Sequence, residues 1–244
     1  AVASPERSRQ ADGAMAYDWG VERFLSGVTH TGELENIDNP RWWQQEKEQT
    51  IRLQQAVSRK SNRRSNRRKK AVRRLGAARA KVARKRLDWA HQQTALLASR
   101  YALVATEELT LKNMTRSAVG TVEEPGKQVA QKAGLNREIL DTAPGLFTSL
   151  FRYKVLETGG EWVDAPTRKL KPSQRCPNCW HVAKKQLSQR MHCCEQCGHQ
   201  ENRDTASARV VLRWALESIS GQELAETGIH SPRETPSFAA HRVE

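Results

Sequence analysis

Two kinds of metal chemistry are written into the spacing of this chain. Cys176-Pro-Asn-Cys179 is followed after fourteen residues by Cys194-Glu-Gln-Cys197-Gly198, and seven residues beyond the last thiol comes Asp204. A Cys-x2-Cys turn aims its backbone N–H groups at its own sulfurs, and two such turns close a tetrahedron of thiolates around Zn²⁺. Disulfides or four unrelated thiols are the alternatives, and the spacing lies much nearer the zinc template. Oxygen donors form the second set. Asp18 sits within or at the end of a first strand, Glu107-Glu108 ends a buried run, and Asp204 begins a helix. Mg²⁺ and Mn²⁺ take clustered carboxylates, and two such ions about 4 Å apart are a common means of cutting a phosphodiester. At this stage Glu107 and Glu108 are alternatives to each other, and both read equally well as solvated loop acids.

The elements that must position these groups follow from periodicity. Ala14–Tyr17, Phe24–Val28 and Leu34–Ile37, separated by tight turns, predict an antiparallel meander. Trp42 onward is helical in composition, and Ser61–Asn66 marks a turn before a second helix over about Arg67–Ser99. Val72, Leu75, Val82, Trp89 and Leu96 give that helix one narrow apolar face. Tyr101–Thr106 is a continuous apolar run of the kind found in buried central strands. Alternation places Glu107 on the face of Leu103 and Ala105, and Glu108 on the other. Gly120–Gly134 reads as a surface connection and Leu135–Leu156 as a helix that Pro144-Gly145 interrupts. A short strand at Glu161–Val163 then leads to the thiols, and Ala206–Leu216 is a helix. Residues 1–13 are expected to be a disordered start and 221–244 a disordered tail.

The chain has 244 residues and a formal charge of +14, and only 37% of its residues are hydrophobic. Such a balance calls for a polyanionic partner. Membrane is the weaker choice, since no apolar run approaches the ~18–20 residues of a span and no charged-then-apolar leader opens the sequence. From Arg52 to Arg86 there are sixteen Lys or Arg and no acidic residue, so the remainder of the chain is slightly negative. Like charges at helical spacing destabilise a helix unless an anion compensates them. Phosphate contact is therefore expected at Arg63, Arg64, Arg67, Arg68, Lys69, Lys70, Arg73 and Arg74, without distinction between DNA and RNA. Five cysteines, four of them in the zinc pattern, fit a reducing compartment.

These motifs together carry a family resemblance. Asp18-Trp-Gly-Val21 with Asn39-Pro-Arg41, Glu107-Glu-Leu109 through Met114, Gly134-Leu-Asn-Arg137 with Ile139-Leu-Asp141, and the paired Cys-x2-Cys turns before Arg203-Asp204 resemble the OrfB/TnpB transposon-associated nucleases and the related type V CRISPR effectors. The resemblance runs from about Ala14 to Leu216. It implies an α/β fold: an RNase H-like (RuvC) mixed sheet over 14–170 and 199–220, a long basic helical hairpin at about 42–99, and a zinc ribbon inserted over 171–198. It also implies guide-RNA-directed cleavage of target DNA, with Asp18, Glu107 and Asp204 as catalytic ligands of Mg²⁺ or Mn²⁺. Leu109 aligns with the family's leucine and so selects Glu107, and Arg203 joins the nucleic-acid contacts. A prokaryotic, cytoplasmic, nucleoid-associated setting follows. Trp180 departs from the family's glycine, Asn202 from an acid and Ala206 from a frequent asparagine. Cys193 is an extra thiol to which the zinc register could shift, although Cys194 fits better. The departures beside Asp204 imply reduced activity, and the alternative is a weak or inactive RNA- or DNA-binding regulatory module. The family's N-terminal recognition region has no counterpart before the first strand, so another chain or a missing segment is expected to supply it.

Overall fold

A computed structural model describes residues 11–121, 123–186 and 189–219; the expected start up to residue 10 and the tail from 220 lie outside these described residues. Strands β1 (Gly13–Trp19), β2 (Arg23–Thr29) and β3 (Leu34–Asp38) form the antiparallel meander. β4 (Tyr101–Glu107) lies parallel to β1, and β5 (Glu161–Ala165) parallel to β4, giving a mixed sheet of order β3-β2-β1-β4-β5. Between β3 and β4 stand α1 (Trp42–Ser58) and the long α2 (Asn66–Arg100); Ser65 caps α2, its Oγ accepting the Arg68 N–H at 3.2 Å. Next come α3 (Leu111–Met114), α4 (Val129–Thr142), α5 (Pro144–Glu157), and after β5 the short α6 (Thr167–Leu170). A two-stranded ribbon, β6 (Met191–Cys193) and β7 (Gln200–Asn202), feeds directly into α7 (Arg203–Ile219).

Residue size along β1 sorts the two faces of the sheet. Ala14 and Ala16 point one way, with Ala105, Ala165, Ala208, Val211 and Ala215 in the same cluster, so α7 lies against a floor of small side chains. Met15 and Tyr17 point the other way and meet Leu97, Phe147, Phe151 and Val155 from α2 and α5. Phe24 binds that second layer through edge-to-face contacts, 4.7 Å to Phe147 and 4.8 Å to Trp89 between ring centres. Each such pair contributes about 0.5–1.5 kcal/mol beyond its buried area.

Two expectations are corrected. In α2 the buried positions are Ala71, Ala90, Thr94, Leu97 and Ala98, while Val72 and Leu96 are exposed. The sevenfold spacing 75, 82, 89, 96 slips about 20° per turn-pair against a straight helix, so Leu97 takes the inward place from Leu96. The connection at Gly120–Gly134 is also partly helical, because α4 begins at Val129. Ala130, Gln131, Lys132 and Ala133 are good helix formers, and they outweigh the ~1 kcal/mol that Gly134 costs. The break between α4 and α5 falls at Ala143, which takes φ 49° ahead of Pro144 at the first helical position.

Candidate active site and zinc cage

Tyr17 stands opposite Thr106 in the parallel pair, so Asp18 and Glu107 follow side by side at the C-terminal ends of β1 and β4. Both continue the parity of Ala16 and Ala105, and so both lie on the α7 face. The N-terminus of α7 brings Asp204 to the same place. Asn202 caps this helix, its Oδ1 accepting the Asp204 N–H at 3.0 Å. One turn on, the buried Ser207 donates its hydroxyl to Glu107 Oε1 at 2.7 Å. Glu108 is exposed, whereas Glu107 is half-buried.

The electrostatics register the convergence of three acids. Burial, then the Glu107 and Asp204 carboxylates, raise the Asp18 pKa well above its ordinary value of 3.8, and the Arg203 guanidinium opposes them. Glu107 is raised as well, first by burial and then by Asp204, against the Ser207 hydroxyl that favours its ionised form. Gathered carboxylates of this kind are unfavourable unless a cation offsets them. An all-oxygen donor set with one seryl brace suits Mg²⁺ or Mn²⁺. Arg203 lies inside this cluster, with Nε 3.7 Å from Asp204 Oδ1 and a side chain only 16% exposed. Its place is that of a counter-charge to the acids rather than of an outward phosphate contact.

The four cysteines are drawn together more tightly. Their sulfurs all lie within 4.8 Å of one another, a closeness that the carboxylates of Asp18, Glu107 and Asp204 do not reach. Cys176 to Cys197 is 3.6 Å and Cys179 to Cys194 is 3.5 Å. A tetrahedron with Zn–S bonds of ~2.3 Å requires sulfurs about 3.8 Å apart. Exposed Cys193, on β6, is outside the group. The two turns are near copies. Trp180 N–H donates to the Cys176 carbonyl and Gly198 N–H to that of Cys194, while Cys176 and Cys194 donate in turn to the His181 and His199 carbonyls. At Cys197, burial is outweighed by the His199 backbone N–H and by donors on neighbouring thiols and Asn178, which bring the thiol down to about 6.

Both turns end in a left-handed residue, Gly198 at φ 73° and Trp180 at φ 66°. A side chain in this conformation costs ~1–2 kcal/mol. Trp180 offsets that cost by burying its indole between two guanidiniums, Arg175 at 5.3 Å and Arg213 of α7 at 4.7 Å. Arg213 also donates to the Pro177 and Asn178 carbonyls at 3.1 and 3.2 Å. The departure from glycine thus anchors α7 to the first turn. The ribbon closes with β7 at Asn202, four residues beyond the boundary expected at 198.

The family model OrfB_IS605, described as "Probable transposase", matches residues 1–118, and the model "Cas12f1-like, TNB domain" matches 145–211. The Escherichia coli K12 protein named "Putative RNA-guided DNA endonuclease InsQ" is 34% identical over 189 residues, 76% of this chain and 46% of its own length. Across these matches the chain is similar to proteins of the OrfB/TnpB type. A similarly named endonuclease of Streptomyces pristinaespiralis is 27% identical over 228 residues, 90% of this chain and 52% of the relative. The chain therefore spans about half the length of the curated relatives it matches. In fold it is similar to a chain of a CRISPR-Cas12f ternary complex, with TM-score 0.58 and 17% identity over 86% of this chain and 40% of the other. A chain of a Cas12f1–sgRNA–target DNA complex gives the same TM-score at 16% identity, over 85% of this chain and 40% of the other.

The basic hairpin keeps most of its cations outward. Arg63, Arg64, Arg67, Lys69, Lys70, Arg73 and Arg74 are exposed. Arg68 is the exception: its Nη1 donates to the Val57 and Lys60 carbonyls at 2.9 and 2.8 Å, closing the C-terminus of α1. Sequence reasoning missed Ser207, although its place three residues after Asp204 on one helix face was a usable signal. Among the described residues no helix is long and apolar enough to cross a membrane.

Proposed function

We propose that this chain carries the cleaving site of an RNA-guided DNA endonuclease of the TnpB type, acting with guide RNA on target DNA in the bacterial cytoplasm at the nucleoid. In this reading the mixed sheet is RNase H-like (RuvC), spanning 14–170 with α7, and the zinc ribbon is inserted ahead of the last acid. Asp18, Glu107 and Asp204 hold two Mg²⁺ or Mn²⁺ ions. Such ions supply an activated water and stabilise the leaving 3′ oxygen. The observation that carries the reading is the meeting of three carboxylates from β1, β4 and α7 on one face of the sheet, with Asp18 and Glu107 both pushed up by burial and by their neighbours.

The protein's own groups divide the work. Ser207 fixes one oxygen of Glu107 and leaves the other as a donor to a cation. Asn202 fixes the start of α7, and with it the Asp204 backbone. Arg203 tempers the local negative charge so that a phosphodiester can approach. Past the end of β4, an open groove of about 530 Å³ is lined by Glu108, Thr110, Arg168 and Lys169, and its two cations give a strand a place to be laid. The exposed cations of α2 supply the sequence-independent part of the grip. Asn202, a departure from the resembled pattern, serves Asp204 as a cap, which favours activity over the inactive-module alternative.

The test is cleavage of single-stranded DNA by the purified chain with Mn²⁺ or Mg²⁺. Asp18→Asn should reduce the rate by about a thousand-fold or more, since the lost ligand removes several kcal/mol of charge stabilisation. Circular dichroism and zinc content should stay unchanged. Cutting that survives Asp18→Asn would remove this site from the mechanism. Divalent ion binding without any cutting by the wild-type chain would favour the regulatory module.

A further inference from the structure

Where α1 crosses α2, a cleft of about 250 Å³ opens on the side of the sheet away from the three carboxylates. Trp42 and Trp43 line it, together with Glu46 and Arg86. These walls are held rigidly from behind. The Arg137 guanidinium lies 5.5 Å from the Trp43 ring centre, and Trp42 meets Trp89 edge-on at 6.3 Å. Buried Asp141 accepts from Arg86 Nη2 at 2.6 Å and from the Trp43 backbone N–H at 2.7 Å. Arg86 is therefore fixed, yet its buried Nε–H has no partner. Glu46 takes Lys85 on Oε1 at 3.2 Å, which leaves Oε2 as an acceptor.

We propose that this cleft captures a single unstacked nucleobase from a strand bound along α2, and that it favours bases with an exocyclic amino group. The proposal rests on the reading of α2 as a nucleic-acid surface. Indole walls suit the π-face of a base, the contact that unselective single-strand sites use. The cleft is smaller than the ~300 Å³ at which pockets for drug-sized ligands begin, so one ring system is the fitting load. Its polar edge offers an acceptor, Glu46 Oε2, and an unsatisfied donor, Arg86 Nε–H. Adenine and cytosine present the complementary amino donor beside a ring acceptor, whereas thymine and uracil turn a carbonyl oxygen toward the carboxylate. A buried donor without a partner is costly to the free protein, and a ligand that satisfies it gains accordingly. Arg79 stands at the rim, continuous with the cations that bring the phosphates near.

The experiment measures, by fluorescence anisotropy, binding of labelled A, C and U twelve-mers in RNA and of A, C and T twelve-mers in DNA to the whole chain. The A and C strands should bind about ten-fold more tightly than U or T. Trp43→Ala should weaken the A strand by about ten-fold, and Trp43→Phe should restore most of that loss. Glu46→Gln should shrink the preference while leaving the salt dependence unchanged. Preference in the RNA or the DNA series supports the proposal and identifies the strand. Equal affinities for all strands, or a Trp43→Ala loss that is equal across them, would overturn it, as would a cleft serving only to seat a side chain from a longer protein. If charge reversal at Arg73 and Arg74 still weakens every strand in that case, the α2 reading survives. If it does not, both readings fall.

Discussion

The thiol cage and the carboxylate cluster meet at the same helix but are assembled on opposite plans. All four sulfurs come from two short turns, 21 residues apart at most, and each turn closes its own backbone hydrogen bonds. The carboxylates come from β1, β4 and α7, at positions 18, 107 and 204, and each reaches the site only when the sheet has formed. The sulfurs stand near tetrahedral spacing, whereas the acids face one another with Arg203 as the nearest tempering charge. A cage of this kind completes itself around its ion, and a cluster of that kind depends on the whole fold. What links them is α7. Its first residue donates N–H to the Arg190 carbonyl in the ribbon, and its Arg213 grips the Pro177 and Asn178 carbonyls in the first turn. The ribbon and the first thiol turn therefore hold α7 at its first residue and again at Arg213, and Asp204 rides on the held helix.

The most damaging way to break the comparison is to break the cage. A structural zinc site contributes apparent binding energies of ~10–16 kcal/mol, most of it coupled to local folding. Cys179→Ser should strip the zinc, raise amide hydrogen exchange from about 171 through 219, and lower cleavage along with it. Asp204→Ala should lose cleavage while retaining one zinc per chain and wild-type exchange in the ribbon. Metal analysis of the two variants decides the matter: equal zinc loss would mean that the cage and the cluster are one unit.

The same contrast explains what was legible in the sequence. Cys-x2-Cys spacing is a local signal, and the four thiols it pairs, with Cys194 rather than Cys193, are gathered within 4.8 Å of one another. Alternation along β4 likewise placed Glu107 and Glu108 on opposite faces. The approach of Asp18 to Glu107 depended on β1 and β4 being neighbours, a topological fact that no local pattern states. Arg68 was expected at phosphate because composition reports charge but not direction, and Arg203 because the family resemblance placed it there. One closes the end of α1 and the other lies among the acids. Leu96 and Val72 misled because a sevenfold pattern belongs to supercoiled helices and α2 is packed as a straight one against a sheet.

A smaller effect distinguishes the two sites by pH. With folded-state pKa values raised, Asp18 and Glu107 bind more protons in the folded than in the unfolded chain, so their contribution to stability falls as pH rises. It is fully present below their ordinary values of 3.8 and 4.5 and is lost on the way up to the raised values. In chelator-treated protein that keeps its zinc, the wild type should lose Tm relative to Asp18→Asn as pH climbs from about 4 toward neutrality. Each kcal/mol corresponds to roughly 2–4 °C in a chain of this size. Mg²⁺ should restore the wild type and leave Asp18→Asn unmoved, by the mass-action stabilisation that follows selective binding to the folded state. A Tm gap that ignores both pH and Mg²⁺ would mean that the acids do not share a site.

The least change concerns the junction itself. Asn202 is the last residue of the ribbon and the cap of α7, so it belongs to both regions. Replacing a capping Asn by Ala costs about 1 kcal/mol, and Asp caps about as well as Asn. Asn202→Ala should therefore lower Tm by roughly 2–4 °C, with zinc retained and Mg²⁺ half-saturation shifted upward as Asp204 loses its fixed position. Asn202→Asp should keep the Tm in saturating Mg²⁺. Without it, a further negative charge beside Asp204, Glu107 and Asp18 should make the protein less stable than wild type. That opposite response of one position, neutral with the ion and costly without it, follows only if the cap and the three acids act on the same cation. Thermal unfolding of both variants, with and without Mg²⁺, reads it directly.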